Sequence, residues 1–134
     1  MTYFDSDVLV HFLFLQDPAK QAIARQQVQS AASQGQACIS VLSLQEVSFV
    51  LAKLQVAKAD ISKSLAQLKQ FTVFETTLAD FQRAEALAQS IGFQNINDCL
   101  HTAIAEQSCI ELTTFNHSDF SRIQPLTMLK ITLL

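Results

Sequence analysis

Five short apolar runs, over residues 2–6, 37–40, 71–74, 109–113 and 128–133, are separated by stretches whose apolar residues recur at helical spacing. Runs of that length are strands. A strand that reaches its neighbour through a helix must return parallel to its start, so the alternation predicts an α/β layer structure. The helical pattern is clearest over residues 43–54, 59–70, 77–91 and 97–107; in the third, Leu78, Phe81, Ala84, Leu87, Ala88 and Ile91 share one face. The few helix breakers stand at boundaries. Asp17-Pro18 reads as an N-cap with proline at the first helical position, and Gly35 and Gly92 are placed to end helices.

With 134 residues, 49% of them hydrophobic, the chain is long enough for one core, and no linker divides residues 1–134. Cys38, Cys99 and Cys109 are odd in number, widely spaced and without a CxxC pair, which points to core filling in a reducing compartment and not to a disulfide framework or a zinc site. The longest apolar run, residues 12–15, is too short to cross a bilayer, and acids stand near the N-terminus where a signal peptide has bases. A cytoplasmic protein without a membrane partner is expected. The net charge is −3 and the nine basic residues are scattered singly, which argues against a sequence-independent grip on duplex nucleic acid. An enzyme that meets nucleic acid through metal ions is not excluded by that balance.

The candidate chemistry lies in acids that follow strands. Asp5 ends the first apolar run, Glu46 falls in the early turns of the helix after the second, Asp98 opens a helix after Gly92, and Asn116 and Asp119 follow the fourth run. In open parallel sheets ligands sit outside the carboxyl ends of the strands, so these residues can converge on one edge. Each has an ordinary alternative: Asp5 and Asp7 as turn or N-cap residues, Glu46 closing a capping box with Ser43, Asp98 favouring a helix N-terminus, Asp119 closing an Asx turn. The set as a whole favours a cation. Two unit charges ~4 Å apart interact by about 4 kcal/mol at an effective dielectric of 20, so several carboxylates in one cleft repel strongly without one. Oxygen donors with no thiolate and no evident histidine partner suit Mg²⁺ or Mn²⁺.

The stretches YFDSDVLV, ISVLSLQEV, INDCLHTAIA and LTTFNHSDFSRI, in that order over nearly the whole chain, resemble the PIN-domain nucleases, in particular the VapC-type toxins of bacterial toxin–antitoxin pairs. The resemblance implies a three-layer fold with a central parallel sheet flanked by helices. It implies a Mg²⁺- or Mn²⁺-dependent endoribonuclease, a homodimer, and a small antitoxin that blocks the cleft. Single-stranded or loop RNA would be cut to leave 5′-phosphate and 3′-hydroxyl ends. Asp5, Glu46 and Asp98 match the family's three best-defined acids, and the segment with Thr114, Asn116 and Asp119 matches its fourth motif. This chain has Asp7 where the family often has asparagine. In the fourth motif Asn116 occupies the position two after the threonine, where an acid is common, and Asp119 follows three later, so either residue is a candidate for the fourth ligand.

Asp7, Thr114 and His117 are expected around the ligands or the substrate. His11 and His101 are expected on helices in structural roles, and His117 in a loop. The ten phenylalanines read as packing, since no basic residues interleave with them to make a base-stacking platform. Two other functions are open. A haloacid-dehalogenase-like phosphatase also carries DxD after its first strand, but Val8-Leu9 stands here in place of a Gly-Thr turn. A PIN-like interaction module without activity is the non-enzymatic alternative, against which the retention of three acids argues.

Overall fold

The computed structural model describes residues 1–134. Its elements run β1 (Thr2–Phe4), α1 (Ser6–Leu13), α2 (Pro18–Ser33), β2 (Ala37–Ser40), α3 (Val41–Lys53), α4 (Lys58–Leu68), β3 (Thr72–Phe74), α5 (Leu78–Ile91), α6 (Ile96–Glu106), β4 (Glu111–Thr114), α7 (His117–Ile123) and β5 (Lys130–Leu133). All four strand pairings are parallel, in the order β3-β2-β1-β4-β5. The expected α/β architecture with helices on both faces of a parallel sheet is therefore present.

Side chains alternate across the pleat, and β1, β2 and β3 each feed two cores. Tyr3, Cys38, Leu112 and Ile131 pack with α5, α6 and α7, while Phe4 and Ile39 pack with α1, α2, α3 and α4. The three cysteines are free and buried, as core filler should be. Strands covered on both faces need continuous apolar runs, which is why β2 is buried at every residue. From β1 the chain builds outward through β2 and β3, then crosses back to place β4 and β5 on the other side. The order reverses between β1 and β4, and a crevice opens there beyond their carboxyl ends.

The boundaries have local causes. Asp17 accepts hydrogen bonds from the amides of Ala19 and Lys20 ahead of Pro18, and Thr77 and Asp80 form a reciprocal capping box at the start of α5. Gly92 ends α5 with φ of 107°, a backbone angle that glycine tolerates and L side chains rarely adopt. Two expectations need correction. Residues 117–123 form α7 and not a loop, with His117 as its first residue; Asn116 supplies the N-cap by accepting from the amide of Asp119. A 3₁₀ turn, Phe93–Asn95, intervenes after Gly92, so Asp98 lies in the first turn of α6 without being its cap.

Candidate active site

The crevice at the carboxyl ends of β1 and β4 is a cleft of ≈ 350 Å³, and Asp5, Asp7, Glu46, Asp98 and Asn116 all line it. No lysine or arginine does. A larger cavity, ≈ 610 Å³, lies at the opposite ends of β4 and β5, but its acid, Glu106, is already held by Arg83 at 2.8 Å. The smaller cleft gathers four carboxyl groups with no lysine or arginine in its lining.

Asp5 is the first residue after β1 and the N-cap of α1. Its carboxylate is held at both oxygens, Oδ1 accepting from the amide of Ser6 at 2.8 Å and Oδ2 from Thr114 Oγ1 at 2.8 Å. Capping and cleft placement thus coexist in one side chain. Asp7, in the first turn of α1, accepts from the amide of Phe115 at 3.2 Å, which ties α1 to the end of β4. Thr114 sits between the two acids, buried at the last position of β4.

Glu46 does not close a capping box. The box that starts α3 is formed by Ser40 and Ser43, each hydroxyl accepting the other's amide at 3.1 Å. Glu46 is thereby released to the cleft, where its Oε1 meets Ser6 Oγ at 3.1 Å and His101 Nε2 in a short contact. No histidine partner for the acids is evident in the sequence; the structure supplies one. His101 is wholly buried on α6, one turn beyond Asp98, with Nε2 also 3.7 Å from Asp5. The spacing of three between Asp98 and His101 puts both on one helix face, a signal present in INDCLHTAIA.

Burial and the neighbouring Asp5 push both Asp7 and Asp98 up to about 7, with Asp119 adding to the effect on Asp98. Burial acts on Glu46 in the same direction, but the His101 and Ser6 hydrogen bonds and the His101 charge outweigh it and hold Glu46 below the usual carboxylate range. Burial also opposes charge on His101, yet Tyr3, Glu46 and Asp5 together hold its pKa well above the ordinary value. Asp119 is lowered by Asn116 and Arg122.

Asn116 and Asp119 are separated by the fold. Asn116 lines the cleft with Nδ2 3.5 Å from Asp98 Oδ2 and 2.9 Å from Asp119 Oδ2, whereas Asp119 is a step behind, paired with Arg122 at 3.0 Å. His117 is exposed and its Nε2 meets the carbonyl of Leu134 rather than any acid. His11 lines the cleft instead, edge-on to Phe115, with a buried Nδ1 that has no hydrogen-bond partner.

The donor chemistry fits a hard divalent cation: carboxylate and amide oxygens, two of the acids holding protons that a cation would displace. No three acidic, histidine or cysteine side chains yet surround one point at metal-ligand spacing. Loading would require small side-chain movements, for which Asp98 and Asn116, neither fully buried, have room.

Residues 2–125 match the PIN domain family. Among solved structures, a chain of VapBC2 from Rickettsia felis, bound to a DNA fragment from its promoter, superposes with a TM-score of 0.75 at 18% identity, covering 100% of this chain and 99% of its own. A chain of a toxin–antitoxin complex from Klebsiella pneumoniae gives 0.71 at 22% identity, covering 90% and 91%. A chain of FitAcB from Neisseria gonorrhoeae gives 0.67 at 13% identity, covering 98% and 96%. No curated protein sequence matches. At these identities the superpositions establish a shared fold.

Proposed function

The chain belongs to the PIN-domain family, and from that membership and the acidic cleft we propose a Mg²⁺- or Mn²⁺-dependent endoribonuclease, the toxin of a toxin–antitoxin pair. The observation that carries the proposal is the meeting of Asp5, Glu46, Asp98 and Asn116 at the topological switch between β1 and β4, with no lysine or arginine in the lining and His101 as the one cationic partner, against Glu46 and Asp5. Asp5, Glu46 and Asp98, completed by Asn116 or Asp119, would hold the cation, which supplies Lewis-acid activation of water and charge stabilisation for phosphodiester hydrolysis.

The protein's own groups have distinct tasks. Ser6 and Thr114 fix Asp5 at both oxygens, so its orientation is set before any ligand arrives. Asp7 bridges α1 to Phe115 and adds negative charge beside Asp5. Asp98, whose carboxyl burial and the Asp5 charge raise to about 7, would give up its proton to take the cation. His11 flanks the cleft beside Phe115, and its buried Nδ1 has no protein partner. Because no basic cluster exists to hold duplex, the substrate is read as single-stranded or loop RNA entering one strand at a time.

Asp5→Asn and Asp98→Asn are expected to abolish cleavage of structured and unstructured RNAs that the wild type cuts in Mn²⁺ or Mg²⁺. Cleavage that persists in EDTA, or survives both substitutions, removes the metal-nuclease reading. One observation favours the inactive interaction module: Glu46 is engaged by His101 and the acids do not encircle a point. The two readings part on metal binding, which only the nuclease requires. The family match favours either over a phosphatase.

A further inference from the structure

A buried polar chain runs from β2 through β1 to the cleft. Ser40 Oγ and Ser43 Oγ lie 2.7 and 3.1 Å from Tyr3 Oη, Tyr3 Oη lies 2.7 Å from His101 Nδ1, and His101 Nε2 meets Glu46 Oε1. Tyr3, Ser40, Ser43 and His101 are all essentially inaccessible to solvent. Buried polar groups are tolerated when every member is satisfied, and here the count closes. Both serine oxygens already accept a backbone amide in the capping box, which leaves their hydroxyl hydrogens to donate to Tyr3. The tyrosine hydroxyl then donates to Nδ1, and Nε2–H is left to donate to Glu46. A doubly protonated ring reverses the Tyr3 links but presents the same Nε2–H to Glu46.

The second fact is the asymmetry at Glu46. His101 and Ser6 both take Oε1, and no protein donor takes Oε2. Two donors on one oxygen fix the carboxylate's rotation and leave the other oxygen for an external partner.

We propose that His101 is a positioning residue: anchored by Tyr3, Ser40 and Ser43, it pins Oε1 of Glu46 and so presents Oε2 as the donor to the divalent cation. This rests on the metal-nuclease reading and specifies how one of its ligands is oriented. Histidines and hydroxyls behind ligating carboxylates commonly set metal affinity through such orientation, and losing one costs roughly 10–100-fold. The network also explains why a histidine is wholly buried without a charged partner deeper in the core.

The test is Mn²⁺ affinity by titration with paramagnetic resonance detection, on folded protein well below its melting temperature, for wild type, His101→Leu, His101→Gln, Tyr3→Phe and Asp98→Asn. His101→Leu keeps the packing volume and loses both nitrogens; it is expected to weaken Mn²⁺ at least about tenfold. His101→Gln restores an N–H donor near the position of Nε2 and is expected to recover most of that loss, which a purely structural role does not predict. Tyr3→Phe, which removes one oxygen, is expected to weaken binding by a smaller factor. Wild-type affinity in Tyr3→Phe and in whichever His101 variants fold, with Asp98→Asn still abolishing binding, overturns the positioning role and leaves the nuclease reading standing. A wild type that binds no Mn²⁺ removes both.

Discussion

At the scale of single residues the cleft stores repulsion, and pH reveals it. Asp7 and Asp98 stand at about 7 in the folded chain, against roughly 3.9 for an unfolded aspartate. Folding therefore retains their protons. The stability they contribute is full below about pH 4 and is lost as pH rises towards 7. Glu46, Glu106, Glu111 and Asp119 are lowered and act in the opposite sense, losing stability as pH falls, so the whole protein's curve mixes both. Subtraction isolates the cleft: in EDTA, Asp98→Asn is expected to melt with the wild type near pH 4 and above it by pH 7.5, by on the order of 5 °C. Melting curves that stay parallel across that range would return Asp98 to helix-terminus chemistry. Saturating Mn²⁺ adds about 2.7 kcal/mol at a hundred times its Kd. Asn116→Ala is expected to weaken that stabilisation more than Asp119→Asn, because Asn116 lines the cleft and Asp119 is spent on Arg122. Thermal melts across a Mn²⁺ titration decide between them, and a larger loss in Asp119→Asn reverses the assignment. The place of Asp5 and Glu46 in the cleft was legible because each follows a strand, and that of Asp98 because it opens a helix after Gly92. The place of His101 was not, since its partners Tyr3 and Glu46 are far from it in sequence and meet it only when β1, α3 and α6 are assembled.

At the scale of elements, capping chemistry was readable where the residues act on their immediate neighbours and misread where two serines competed. Asp17-Pro18 starts α2 as its sequence says, and the five strands fall within the five apolar runs apart from an end residue. Ser43-x-x-Glu46 has the spacing of a capping box, but α3 begins two residues earlier, at Val41, and Ser40 takes the cap with Ser43. The earlier start frees Glu46 for the cleft. In α7 the helix is seven residues long and polar at its first three positions, too short for periodicity to show. The box at α5 offers a clean measurement away from the cleft. Thr77 Oγ1 both accepts from the amide of Asp80 at 3.2 Å and donates to its carboxylate at 2.8 Å, and that carboxylate is buried and also receives Gln107. Thr77→Ala is expected to cost about 1–2 kcal/mol in urea unfolding, the upper part of the range for a lost N-cap, with RNA cleavage and Mn²⁺ affinity unchanged. A loss of cleavage in the folded variant would mean that α5 is coupled to the site.

At the scale of the whole molecule, charge and shape describe what the protein needs from a partner. No helix is long and apolar enough to cross a membrane, and the −3 net charge includes a cleft lined by four carboxyl groups and no lysine or arginine. Such a cleft attracts either a divalent cation or a cationic side chain, and the two compete for the same oxygens. An arginine, with a planar fork matched to carboxylates, satisfies several acceptors at once and suits an inserted segment of a small antitoxin. Competition makes the linkage reciprocal: whatever factor the partner removes from Mn²⁺ affinity, Mn²⁺ must remove from the partner's. Expression of the gene alone is expected to arrest growth, and co-expression with an adjacent small gene to restore it, with the two products co-purifying. The purified pair is expected to cleave no RNA. Its dissociation constant is expected to rise in step with Mn²⁺ concentration, whereas Asp98→Asn, which lacks the cation site, shows no such dependence. Unimpaired growth without the small gene, or a complex whose affinity ignores Mn²⁺ in the wild type, would place the partner elsewhere on the surface and leave the cleft to its substrate alone.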